Sequence, residues 1–273
     1  MSNPIFIARQ DTLEQEILPA HWLSQYKLFG EESYTFQDKE IWKKLCMSSA
    51  AANDRDMHAE ALEEMLTTFS AEHTGKWMLT VYGMDAAVLE GLASMAAVAG
   101  NGTAMAAVAA NALLMHAITN SQTAMRAIAN SQTAMHAIAN SETAMNAVVA
   151  SSTAMTAVAA SATAMGKIAA VDAALSKLAA STTAMDALYA RKKQMKDGGA
   201  SKSGKFIILE ISQSNTFNTS KYGYATLSDG SKPDWSSYLA KYAFFQKYPK
   251  YATYMLNDTD SDDYIYYFDI ASP

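Results

Sequence analysis

Ser121-Gln122-Thr123-Ala124-Met125-Arg126-Ala127-Ile128-Ala129-Asn130 is followed at once by Ser131-Gln132-Thr133-Ala134-Met135-His136-Ala137-Ile138-Ala139-Asn140. The second decad repeats the first with histidine for arginine at its sixth residue. The ten-residue period runs without insertion from about residue 91 to 190. Its fifth place holds Met95, Met105, Met115 and so on to Met185, with Leu175 the one exception. Its eighth place holds Val, Ile or Leu throughout, from Val98 to Leu188. A period this regular means a repeat architecture.

Residue types choose between helix and strand for the unit. Ala and Met are strong helix formers and Ala is depleted in strands. Residues 121–160 contain no Gly or Pro to turn a tight solenoid. If three helical turns span ten residues, each residue advances about 108° against 100° in a straight helix. On that wheel places five, eight and one form an apolar stripe. Places six, ten and three lie opposite and carry Arg126, His136, Asn146, Asn130 and Thr123. The alternative is a β-solenoid or intertwined β-shaft, with Ala-Met-x-Ala-Ile-Ala as strand and Asn-Ser-x-Thr as turn.

As one helix, the repeat would leave its Met/Ile stripe open to water. Each such side chain is worth roughly 1.5–3 kcal/mol when buried, so partner chains are expected to cover it. The expected seam is Met125, Ile128, Met135, Ile138, Met145, Val148, Met155 and Val158, in a homotrimeric coiled coil. The three-three-four spacing would overwind such a coil, to a pitch of roughly 70 Å instead of about 150 Å. From Ile168 to Tyr189 ordinary three-four spacing returns, and the helix is expected to run on into Arg191-Lys192-Lys193.

Outward from the repeat, four parts are expected. Residues 1–85 read as a helix-leaning anchoring unit, with one helix after Asp38 and another from Asp54 or Asp56, then a short segment about Trp77. Residues 86–196 are the shaft, 197–204 a Gly/Ser linker, and 205–273 an aromatic-rich cap of β-rich or α+β type. In the cap, Lys205–Ile211, Tyr222–Leu227 and Tyr264–Phe268 read as strands, Ser228–Ser231 as a turn, and Ser237–Tyr248 as helical. The whole is an elongated fibre of several parts.

The 273 residues carry a net charge of −6 and no basic block, which argues against holding nucleic acid. One cysteine, Cys46, excludes a disulfide framework, and no apolar run approaches the length of a membrane span. The histidines (His21, His58, His73, His116, His136) are not in metal-ligand spacing, and no phosphate loop or nucleophile motif is present. The acidic run Asp258–Asp263 reads as a solvated turn in preference to a calcium loop, since the central Gly and the last Glu are missing. Neither catalytic residues, nor a cofactor, nor a metal is expected. The terminal aromatics are the candidate contact surface: Trp235, Tyr238, Tyr242, Tyr248, Tyr251 and Tyr254 supply rigid area with polar tips, suited to glycan or protein surfaces.

The pattern Ser-x-Thr-Ala-Met-x-Ala-Ile/Val-Ala-x resembles the decapeptide repeats of bacteriophage tail-fibre and related virion-appendage proteins. Gly204-Lys205-Phe206-Ile207-Ile208-Leu209-Glu210 resembles the cap that follows such repeats. The resemblance covers about residues 91–215. It implies a non-enzymatic virion fibre, usually trimeric, assembled in the host cytoplasm. One end would attach to tail or neck proteins, and the other would contact a host glycan or protein. The alternative is a structural collar, head or baseplate component whose cap packs on other virion proteins.

Overall fold

A computed structural model describes residues 62–63, 84, 86–89, 91–92, 94–196, 200–212, 223–235, 239–257 and 264–273. The expectations for the helices and strand of 1–85 lie outside these residues, apart from Leu62, Glu63 and Met84. The chain divides into two units between Ala147 and Val148, each described by itself.

The first unit holds α1 (Ala86–Leu89), α2 (Met95–Gly100), α3 (Gly102–Ala110), α4 (Ala112–Asn120), α5 (Gln122–Ala129) and α6 (Gln132–Ala139). Helix α7 (Glu142–Ala150) spans the division. The decads are therefore not one helix. Each forms a short helix broken at place one, and the break has a local cause. Ser121 and Ser131 leave the helical region (φ −90° and −96°, ψ 117° and 119°), and each Oγ accepts the N–H three residues on. This is the helix N-cap, and Asn101 and Asn111 do the same with Oδ1.

Consecutive helices turn sharply at these corners: α3 and α4 are bent by 102°. Contacts then recur three helices along, α5 on α2 and α6 on α3. The chain thus winds back over itself with thirty residues in a coil. The corner serines tie one coil to the next. Ser131 Oγ accepts from Ala134 N–H at 3.1 Å and donates to the Ala99 carbonyl at 2.6 Å, 32 residues back. Ser141 Oγ donates likewise to Ala109 O at 2.7 Å.

This winding hides the stripe that was expected to need sister chains. Met125, Ile128, Met135, Ile138, Val148, Met155 and Val158 are 0% exposed and Met145 is 2% exposed, all within one chain. The magnitudes favour bending. A corner forfeits up to four helical hydrogen bonds, worth about 1 kcal/mol each, and the cap restores part of them. Covering one Met and one Ile or Val stabilises by about 3–6 kcal/mol. The coiled-coil seam and the argument for a trimer that rested on it are corrected accordingly. The alanines at places four and nine are buried too (Ala124, Ala129, Ala134, Ala139), and a single methyl lets stacked helices come close. Gln132, Thr133, His136 and Asn140, at places two, three, six and ten, face water.

Ser131→Ala removes an N-cap and a tie between coils together. The expected cost is about 1–2 kcal/mol, against a few tenths for the exposed Thr133→Ala, read as a shift in chemical denaturation midpoint.

The second unit begins with the same decads, α8 (Ser152–Ala159), α9 (Ala162–Ala169), α10 (Asp172–Ala180) and α11 (Thr182–Ala190). Again α11 packs on α8, and Ser181 Oγ donates to Val149 O at 2.6 Å. Helix α11 stops at Ala190 instead of continuing through Lys193. There follows a six-stranded antiparallel sheet: β1 (Lys193–Lys196), β2 (Ala200–Ser212), β3 (Gly223–Leu227), β4 (Asp234–Trp235), β5 (Ala252–Asn257) and β6 (Tyr264–Asp269). The strand order is β1-β6-β2-β5-β3-β4. A one-turn helix, α12 (Ala243–Lys247), packs on β2 and α10.

Of Ser237–Tyr248, read as helical, only Ala243–Lys247 is helix among the described residues, and Leu239 bridges to Ile211. Two further boundaries differ from the sequence reading. Residues 200–204 of the expected linker are strand, because Ala200–Ser203 pair with Asn257–Tyr254. Lys193, expected at a helix end, opens β1 and pairs with Tyr267. Tertiary pairing overrides local preference in both. The long strand β2 serves both halves of the sheet. Its first part pairs with β5 and its last with β6, with a register slip between Ser203 and Phe206 around Gly204 (φ +142°). One face carries the core of Phe206, Ile208, Ile211, Ala225, Leu227, Met255, Ile265 and Tyr267, closed by Trp235 and Phe244.

Candidate functional site

Trp235 is 3% exposed, and its indole lies against the backbone of Gly223, edge-on to Phe244 at 5.6 Å. It is a core residue, and its place among the contact candidates is corrected. Tyr242, 9% exposed, is also inside. Tyr248 is half-buried against Phe244 at 5.2 Å. Tyr251 is half-buried, with Lys205 Nζ 5.5 Å from its ring centre. Tyr254 is half-buried on the sheet, and Tyr238 lies outside the described residues.

Tyr242 belongs to the joint between the last decad and the sheet. Its backbone is left-handed (φ 72°), a conformation uncommon for a bulky residue. Three contacts hold it there: its N–H donates to Leu209 O at 2.6 Å, its hydroxyl donates to Asp186, and its ring meets Tyr189 edge-on at 5.8 Å. Tyr189 donates to Glu210 at 2.5 Å, while Lys192 and Lys241 sit 4.1 and 4.4 Å from its ring centre. Lys241 also pairs with Asp186 at 3.1 Å. Burial, then the Glu210 carboxylate, push the Tyr189 phenol well above its ordinary pKa. The Tyr242 hydroxyl and Lys241 hold Asp186 below the usual aspartate range. Each of these polar groups has a partner, and the cluster closes the end of the repeat as terminal capping units do.

In the first unit, Glu63 meets the repeat. Its carboxylate accepts from Ser121 Oγ, from Thr123 N–H at 3.2 Å and from Thr123 Oγ1 at 2.7 Å. Burial raises its pKa, but these bonds and the nearby Arg126 charge outweigh it, and the group sits below the ordinary glutamate value. A depressed folded pKa means the contribution is complete above the unfolded value and is lost as pH falls through the folded one. Protection of the Thr123 amide against hydrogen exchange is therefore expected to fall in that acid window, and Glu63→Gln removes the dependence.

The sheet face opposite the aromatic core offers a different surface. Register places Ser203, Tyr254 and Thr226 in one row across β2, β5 and β3, and Ser201, Leu256 and Tyr224 in the next. The serines are exposed, and the other four side chains are half-buried. The Tyr224 and Tyr254 rings are 5.7 Å apart at 37°. Burial and Tyr254 raise the Tyr224 pKa. None of the six is charged, but the exposed Asp234 of β4 stands in register beside Tyr224 at the end of the second row. Tyr224 and Thr226 were not among the contact candidates, although the alternation Tyr224-Ala225-Thr226-Leu227 places them on one face of a strand.

Among the described residues, no group of three or more His, Cys, Asp or Glu side chains could hold a metal ion. The run Asp258–Asp263 lies outside them. His136 is exposed and His116 half-buried, and an asparagine four residues on approaches each ring. Among the described residues no single helix is long and apolar enough to cross a membrane. No protein-family model matches the chain, and no curated protein matches it.

Proposed function

We propose that the chain is a non-enzymatic component of a bacteriophage virion fibre, with residues 1–85 attaching to tail or neck proteins and the sheet contacting the host surface. The observation that carries this reading is the Ser-x-Thr-Ala-Met-x-Ala-Ile/Val-Ala-x decad, with its resemblance to virion-appendage repeats. The way the decads fold suits a spacer. Among the described decads, every corner is satisfied by its own serine or asparagine except the one at Val171, and the outward places of residues 121–160 carry mostly short, uncharged side chains. Such a surface offers little for stray partners to grip, and whole decads can be added without changing the local pattern. Several copies on one particle would raise the avidity of a weak contact.

Gold-labelled antibody against the full chain, applied to phage particles from its source, tests the reading. Labelled appendages are expected; particles that carry the chain only inside the head, or not at all, overturn it.

A further inference from the structure

We propose that Glu63 is a latch that ends the coil: its carboxylate stands in for the backbone carbonyl of a preceding coil and fastens the N-terminal region to the first turn of the repeat. This goes beyond the fibre reading and does not depend on it.

The tie between coils has a fixed form. Ser131, Ser141 and Ser181 each donate the Oγ hydrogen to a carbonyl 32 residues back, on Ala99, Ala109 and Val149. The same count from Ser121 falls on Leu89. Helix α1 ends there, Gly91 turns the chain (φ +83°), and the Leu89 carbonyl accepts from Leu92 N–H at 3.1 Å. Ser121 keeps the cap geometry of the other serines, accepting from Ala124 N–H at 3.0 Å, but its hydroxyl donates to Glu63. The same carboxylate takes the Thr123 N–H and Oγ1. Place one of the decads reports the change: it holds Asn101 and Asn111, then serine from Ser121 to Ser161. Serine enters the series where the first tie is made.

Exchanging a carbonyl for a side chain has two consequences. A carboxylate accepts more strongly, so one group gathers three bonds at the start of α5. It is also the one tie of these four that a substitution can remove without touching the repeat. The N-terminal region meets the first coil at two further described points: Leu62 is buried, and Asn111 Nδ2 donates to Met84 Sδ at 3.7 Å. The first coil, α2–α4, is thus held by α5 and α6, which pack on α2 and α3, and by these contacts. In a stack whose members touch only their neighbours, loss of one neighbour lowers the opening free energy of the end member as a unit.

Hydrogen exchange of the full chain, read by mass spectrometry, tests the latch. Glu63→Ala is expected to speed exchange about tenfold across residues 95–120 together, as well as at Thr123 and Ala124, as loss of bonds to a charged group implies. Glu63→Gln keeps one acceptor oxygen and should fall between Glu63→Ala and wild type. Thr133→Ala, exposed on α6, should leave 95–120 unchanged. Thr123→Ala removes one partner and leaves the serine cap in place, so it should speed the same stretch by a smaller factor; it serves where Glu63→Ala costs the fold of the whole unit. Faster exchange confined to residues 121–124 in both Glu63→Ala and Thr123→Ala would make Glu63 a local cap and overturn the proposal. Unchanged exchange in 95–120, or a Gln variant no different from the Ala variant, would overturn it as well.

Discussion

Ile138→Asp abolishes cooperative folding of the first unit, while His136→Asp, two residues away, changes its thermal midpoint little. Ile138 is 0% exposed inside the coil, at the eighth place of its decad, whereas His136 stands at the outward sixth place. A carboxylate at 138 would lie among Met and Ile side chains without a partner, and burying an unpaired charge costs several kcal/mol. That is a large share of a domain's total stability of about 5–15 kcal/mol. At 136 the new carboxylate stays in water, and exposed substitutions of this kind fall within about 0.5 kcal/mol. Far-ultraviolet circular dichroism during heating separates the two.

Gly223→Ala strikes the sheet as hard for a reason unconnected with backbone freedom. A Cβ at 223 would fall inside the van der Waals envelope of Trp235 Cε2, Cζ2 and Nε1. The indole cannot retreat easily, because Phe244 stands edge-on beside it and Tyr248 packs on Phe244. Crowding a packed core by one methyl costs about 1–3 kcal/mol, and here the contact is with a rigid ring, so the upper end is expected. Substituting Trp235→Leu in the same chain should recover part of the loss. A double-mutant cycle in urea, with a coupling of about 1 kcal/mol or more, reads the contact directly.

What the sequence made legible was the inside and outside of each decad. Places five and eight are buried, place ten is exposed and place six is exposed in all but one decad (His116), while place three is half-buried in most of them; a short helix and a long one present nearly the same faces over eight residues. The corners were not legible from that wheel. It put Ser121 and Ser131 on the apolar stripe, whereas the capping rule that marks Asp38 as a helix start marks these serines too. The tie from Ser131 to Ala99 joins residues 32 apart, and no local pattern carries it. Departures from the repeat were a readable signal. Tyr189 stands at the ninth place, where Ala159, Ala169 and Ala179 stand in the preceding decads, and it is the residue that meets the sheet. Strand β5 was hidden because Ala252–Asn257 bury without strict alternation. Of the contact candidates, Tyr254 lies on the outer sheet face, while Trp235 went inside, its indole filling the space over the bare backbone of Gly223.

Methionine oxidation of the full chain, mapped by peptide mass spectrometry across a dilution series with light scattering in parallel, tests the self-burial of the decads most directly. Met105, Met115, Met125, Met135, Met155, Met165 and Met185 are 0% exposed, whereas Met195 is half-buried at a sheet edge. Winding of a single chain predicts that peroxide attacks Met195 before any of the seven, equally at concentrations where the scattering mass is the 29.5 kDa of one chain. Protection that exists only in a multimer, and disappears as the mass falls to one chain, would contradict it.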